Sequence, residues 1–145
     1  MNVKIKFLEH NQIKKLPVYA TEGSAGMDFF ACGNYEILSG ETRLIKTGIA
    51  LEIPEGYELQ IRSRSGLALK NNLFVLNAPG TIDSDYRGEI GVIMCNLSPY
   101  PHRINEGDRI AQGVLAKYEK AIFDISSDIS TTERSIGGFG STGLK

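Results

Sequence analysis

Tyr57-Glu58-Leu59-Gln60-Ile61-Arg62 alternates apolar with polar side chains at every step, with Pro54-Glu55-Gly56 before it as a turn signal. A period of two sends one set of side chains to a core and the other to solvent, which is the pattern of a half-buried β-strand. Outward from this stretch the same period recurs in Val3–Phe7, Thr42–Thr47, Glu89–Asn96 and Arg109–Tyr118. Gly33-Asn34, Ser39-Gly40, Ala78-Pro79-Gly80 and Glu106-Gly107-Asp108 punctuate the runs as turns. Short strands at regular spacing, with no sustained 3.6 period, predict an all-β domain, an antiparallel sandwich or a distorted jelly-roll β-barrel. One short helix is expected at Ser65–Asn72, with Ser65 near its N-cap and an asparagine suited to the left-handed closing position.

The chain has 145 residues, enough for one domain that buries roughly 68–70% of its unfolded surface. A net charge of −1 gives no basic stripe for nucleic acid or an anionic membrane, so any phosphate binding is local. No apolar run is long enough to span a bilayer and no signal peptide opens the chain, so a cytoplasmic location is expected. Cys32 and Cys95 stand far apart without a C-x-x-C, and read as reduced, packed thiols. His10 and His102 read as isolated, so the spacing of a zinc site or a His/Cys nucleophile is absent. Asp124–Glu133 is polar with few apolar anchors. The expected division is a barrel at 1–123 and an arm with a lid at 124–145, long enough at ~3.3–3.6 Å per residue to reach a neighbouring subunit.

Four segments carry more chemistry than their structure needs. Asn77 to Gly91 reads as a hairpin with two carboxylates, a tyrosine and an arginine near its tip; Asp83 and Asp85 also suit plain turn-formers, and Tyr86 a strand-face aromatic. Arg62-Ser63-Arg64-Ser65-Gly66 places hydroxyls and a guanidinium where a helix begins, as an anion site does; capping explains Ser65 but not Arg64. Gly107–Gln112 is a turn entering a strand, on which Gln112 is equally a solvated face. Ala25-Gly26-Met27-Asp28 sets a carboxylate after a small-residue turn.

The tail Gly138-Phe139-Gly140-Ser141-Thr142-Gly143 spells G-x-G-x-x-G, but with two residues after it no helix can follow, so it is no dinucleotide fingerprint. It reads either as a glycine-rich terminus or as a mobile lid. In the second reading Arg134, Phe139 and the hydroxyls suit a phosphorylated ring compound.

Taken in order, Ala25–Asp28, Arg64–Ala68, Asn77–Gly88, Gly107–Gln112 and Arg134–Gly143 resemble the five motifs of the homotrimeric dUTPase family over effectively the whole chain. The resemblance departs at Ser63, where the family commonly has proline, and at Ser135, where it has glycine. It implies a jelly-roll trimer with sites at subunit junctions, turning dUTP into dUMP and pyrophosphate. That activity limits uracil in DNA and supplies dUMP for thymidylate synthesis.

By the same resemblance Asn77, Gly80 and Ile82 hold uracil, and Tyr86 lies against deoxyribose. Asp83 accepts the 3′-hydroxyl and activates the attacking water. Arg64, Ser65, Gly66 and Gln112 cradle the triphosphate. Asp28 meets Mg²⁺ through water, and Arg134, Phe139, Gly140, Ser141 and Thr142 close over the nucleotide. No nucleic acid or membrane partner is implied. A dCTP deaminase shares the fold but fits Asp83–Gly88 and the Phe139 tail less well; a non-catalytic dUTP-binding trimer uses the same binding residues.

Overall fold

Each alternating run finds an antiparallel partner. A computed structural model describes residues 1–138. Its elements are β1 (Lys4–Phe7), β2 (Val18–Tyr19), β3 (Met27–Phe30), β4 (Tyr35–Ile37), β5 (Thr42–Lys46), β6 (Ile49–Glu52), β7 (Tyr57–Arg62), α1 (Ser65–Asn71), β8 (Leu73–Val75), β9 (Gly80–Ile82), β10 (Gly91–Asn96), β11 (His102–Ile104) and β12 (Arg109–Lys117). One sheet runs β2-β3-β12-β7-β9 and another β5-β10-β8, with the pairs β1-β6 and β4-β11 completing the barrel. Every ladder is antiparallel. A single core joins them: Phe29, Leu59, Ile61 and Ile110 from the first sheet meet Ile45, Val75, Val92 and Met94 from the second.

The longest ladder pairs β12 with β7, from Gln112 opposite Arg62 to Lys117 opposite Tyr57. Gly113 sits inside it because the Phe29 ring occupies the place of a β-carbon, with Leu59 Cδ1 3.0 Å from that position. Gly113→Ala is therefore expected to destabilise the fold by about 1–3 kcal/mol through overpacking. Urea unfolding measures this, and an unchanged midpoint would mean that Phe29 can slide aside.

Two expectations are corrected. Ser65 is the first helical residue and not the cap: Arg64 holds that position in extended conformation and makes no side-chain cap bond. Asn72 does close the helix, at φ 51°. Asn77–Gly91 is not a paired hairpin, because β9 ladders onto β7 while β10 lies between β5 and β8, so residues 83–90 cross between sheets. Asp28 follows the bend at Ala25-Gly26 as expected, and lies within β3 among buried residues. Tyr118 donates its N–H to Gly56, and beyond it every backbone bond of the described residues is local to the arm.

Cys32 is 5% exposed. Burial pushes its thiol above the ordinary 9.0, helped by the charges of Glu106 and Glu89 and opposed by Lys46. Burial likewise raises the Tyr35 phenol above 10.0, opposed by the bond it accepts from the Lys46 N–H. An acid with a raised folded-state pKa keeps its proton longer folded than unfolded, so stability falls as pH climbs past the unfolded value. Melting temperature should hold below about pH 9 and decline above it, and Cys32→Ser should flatten the first part of that decline. An identical slope in the variant would assign the loss elsewhere.

Candidate functional site

The first cluster lies across three strands. Register sets Gln112 of β12 opposite both Asp28 of β3 and Arg62 of β7. A shift in register between Arg109 and Ala111 allows both Ile110 and Ala111 to be buried at the start of β12. Asp28 is 4% exposed, and such a carboxylate is costly to bury without partners. It has two: Arg64 Nε donates to Oδ1 at 3.1 Å, and Arg109 Nη1 lies 3.4 Å from Oδ2. Arg64 also donates from Nη1 to the Arg109 carbonyl, at 3.3 Å. A β-carbon on Gly26 would lie 3.5 Å from Gln112, in ordinary contact.

Arg64 then leads into α1. With no side chain capping the helix, its first N–H groups have no intrahelical acceptor. Ser65 is exposed, and nothing lies within 4 Å of a β-carbon on Gly66. The approach is pinned from behind, where Ser63 Oγ accepts the Val75 N–H at 2.9 Å. A hydroxyl thus makes a bond at Ser63 that a proline could not make.

The second cluster is the segment after β9, an edge strand with one ladder, on β7. An edge strand leaves N–H and C=O groups unpaired along its free side. Gly80 is buried under Asn77, whose Nδ2 would lie 2.9 Å from a β-carbon there. Ile82 is half-buried and Asp83 exposed. The Tyr86 N–H bonds the Asp83 carbonyl at 3.2 Å and closes a turn, but neither the Asp83 nor the Asp85 carboxylate has a hydrogen-bond partner among the described residues. The turn therefore forms without consuming the carboxylate. Tyr86 folds over Gly88, where a β-carbon would collide with the hydroxyl end of the phenol, and donates its hydroxyl to the Glu89 carbonyl at 3.0 Å. The side chain remains 45% exposed.

Within one chain these clusters stand apart. Leu59 pairs Ile82 and Ile61 pairs Gly80, which sets Asp83 level with Glu58 while Arg64 lies beyond the far end of β7. Six residues at ~3.3 Å separate the two levels by roughly 20 Å. Arg134 is exposed and donates from Nε to the Gly137 carbonyl at 2.9 Å. Phe139, Gly140, Ser141 and Thr142 lie outside the described residues.

Two residues were missed as parts of these clusters. Arg109 stands in the quoted Gly107–Gln112 turn, but only the fold brings it to Asp28. His10 is not isolated, since its Nε2 lies 2.9 Å from Glu89 Oε1 across 79 residues of sequence. No local pattern signals that pair.

The antiparallel β-barrel fold is shared with proteins of known structure. The Staphylococcus bacteriophage 80alpha dUTPase G164S mutant, solved with dUpNHpp, superimposes with a TM-score of 0.90 over 99% of each chain at 27% identity. A family model described as dUTPase matches residues 12–143. Deoxyuridine 5′-triphosphate nucleotidohydrolase of Rickettsia felis is 54% identical over 144 residues, 98% of this chain and 97% of that one. The protein of that name in Desulfotalea psychrophila is 50% identical over 150 residues, covering 99% and 100%. The chain belongs to the dUTPase family.

Proposed function

We propose that this chain, as a dUTP diphosphatase, uses Asp83 to activate a water for attack on the α-phosphorus of dUTP, releasing dUMP and pyrophosphate. The observation that carries the reading is the Asp83 carboxylate, exposed on an ordered turn and without a hydrogen-bond partner among the described residues. A general base must be free to take a proton and within one water of its target. Uracil pairs with the open edge of β9 near Gly80 and Ile82 with help from Asn77, and deoxyribose lies on the exposed side of Tyr86. Asp83 also accepts the 3′-hydroxyl.

Arg64, the free N–H groups at Ser65 and Gly66, and Gln112 receive the triphosphate and stabilise charge on its non-bridging oxygens. Mg²⁺ fits this donor set when carried by the triphosphate, since the described residues include no cluster of three ligating side chains. Asp28 is then the residue that would hold it, through water. Its carboxylate has about four lone-pair sites, of which two face arginines. Bound there, the ion would withdraw charge from the phosphates.

The roughly 20 Å between the levels of Asp83 and Arg64 exceeds what one triphosphate can bridge, so each site takes its nucleoside loop from one subunit and its phosphate cluster from another. A homotrimer of this kind suits the arm. Ile122, Phe123, Ile125 and Ile129 are each at least 90% exposed there, with nothing among the described residues to cover them. It also suits an apolar groove of about 460 Å³ lined by Val3, Ile5, Leu16, Met27, Leu51 and Leu115. Residues 124–145 act as arm and lid. Arg134 meets the terminal phosphate, Phe139 stacks on uracil, and Gly140, Ser141 and Thr142 close the site.

No described helix can cross a membrane, and we place the activity in the cytoplasm with dUTP and further copies of the chain as partners, not nucleic acid or membrane. There it keeps uracil out of DNA and provides dUMP for thymidylate synthesis. Pyrophosphate release with Mg²⁺ and each of dUTP, dCTP, dTTP and UTP tests the reading; dUTP alone should be turned over efficiently. Ammonia from dCTP, or binding of dUTP without hydrolysis, would replace it. Tyr86→Ala should raise kcat/KM for UTP relative to dUTP, because the ring rejects a 2′-hydroxyl by occupying its space. An unchanged ratio would move the discrimination elsewhere.

A further inference from the structure

Tyr86 is only as well placed as what holds it. Its ring rests on Gly88 and its hydroxyl bonds the carbonyl of Glu89, so the backbone at Glu89 sets the position of the ring. That backbone has an anchor of its own. The Glu89 side chain is 19% exposed and turns inward; Oε1 accepts the Gly48 N–H at 2.9 Å and lies 2.9 Å from His10 Nε2, and Oε2 lies 3.9 Å from Lys46 Nζ. Gly48 cannot yield. At φ +67° it sits where a β-carbon would come 2.7 Å from Asn11 Cβ and 2.8 Å from Cys32 Sγ. Its carbonyl accepts from Leu8 N and from Asn11 Nδ2, at 2.9 and 3.1 Å. Next to Glu89, the Ile90 carbonyl accepts the Thr47 hydroxyl.

The segment from Asp83 to Gly88 thus hangs between Ile82, fixed in the β7 ladder, and Glu89, fixed by its carboxylate. We propose that Glu89 is a positioning residue for sugar discrimination, keying the Tyr86 loop to Gly48 and His10; this rests on the reading of Tyr86 as the deoxyribose platform. Removing the carboxylate frees one end of the loop. The ring then swings from a fixed wall to a movable one, and a 2′-hydroxyl is less strictly refused.

Glu89→Ala should raise KM for dUTP and narrow the dUTP to UTP ratio of kcat/KM by about tenfold, below the roughly 10²-fold that a full 1 Å misplacement can cost. Glu89→Gln keeps an acceptor for the Gly48 N–H and should restore most of the ratio. A purely structural role would lower the melting temperature without moving the ratio. Tyr86→Phe removes the hydroxyl bond to the Glu89 carbonyl, so in that background Glu89→Ala should narrow the ratio further by much less than it does alone. Independent, multiplying losses would overturn the proposal, as would a Glu89→Ala protein with wild-type discrimination. If Glu89→Ala does not fold, His10→Ala decides: a narrowed ratio supports the anchor and an unchanged ratio overturns it. Failure of the Tyr86 reading is separately visible, as a Tyr86→Ala protein that still rejects UTP.

Discussion

Asp83→Asn lowers kcat for dUTP by about 10²–10⁴ while nucleotide binding survives, the loss typical of removing a positioned general base. The amide keeps the size of the carboxylate and can still accept a bond from the 3′-hydroxyl, but it cannot take a proton from water. Nothing in the fold resists the change, because the carboxylate is exposed and unbonded and the turn is closed by backbone, Tyr86 N–H to Asp83 carbonyl. Melting temperature should therefore stay put while turnover collapses. Steady-state kinetics beside isothermal titration with a non-hydrolysable dUTP analogue separates the two effects. Near-wild-type kcat would remove Asp83 from the chemistry.

Truncation after Glu133 is the second large effect. It should cut dUTP turnover sharply and leave the melting temperature without nucleotide nearly unchanged. Residues 134–136 are exposed, and the bonds given to residues 134–138 are local, Arg134 to Gly137 and Ser135 to Thr132. They do not help to hold the barrel. Phe139→Ala should fall between wild type and truncation, since stacking an aromatic on a base is worth roughly 1–3 kcal/mol. Part of that loss should appear in kcat, because closure excludes water from the aligned phosphates. A truncated protein that melts far lower would make the tail structural, and one that turns over dUTP normally would end the lid reading.

Local pattern carried the sequence reading as far as local pattern reaches. Strand β7 runs from Tyr57 to Arg62 as its alternation predicts, with Leu59 and Ile61 buried, and Asn72 closes the helix in the left-handed conformation. These depend on neighbours within a turn or a pleat. Asp28 was less legible, because the two arginines that make its burial tolerable stand 36 and 81 residues away. The apparent hairpin misled for a related reason: turn residues between two apolar runs do not say whether those runs pair with each other, and here β9 and β10 join different sheets. Asp124–Glu133 reads as polar with few apolar anchors, and those anchors, Ile125 and Ile129, stand out into solvent together with Ile122 and Phe123 just before them. Scattered apolar residues without a period signal no element, and they become conspicuous only once the barrel is seen to leave them uncovered.

In the proposed trimer Asp83 and Arg64 serve one nucleotide from different subunits. Co-expressing Asp83→Asn chains with Arg64→Gln chains tests it, once each parent is shown to be a trimer of nearly inactive sites. In mixed trimers some junctions join an intact Asp83 on one chain to an intact Arg64 on the next. With equal, random mixing about a quarter of the sites are whole, so dUTP hydrolysis should return to roughly that share of wild type. If both groups act within one chain, no mixture restores a site. Activity no greater than that of the parents would contradict the shared site.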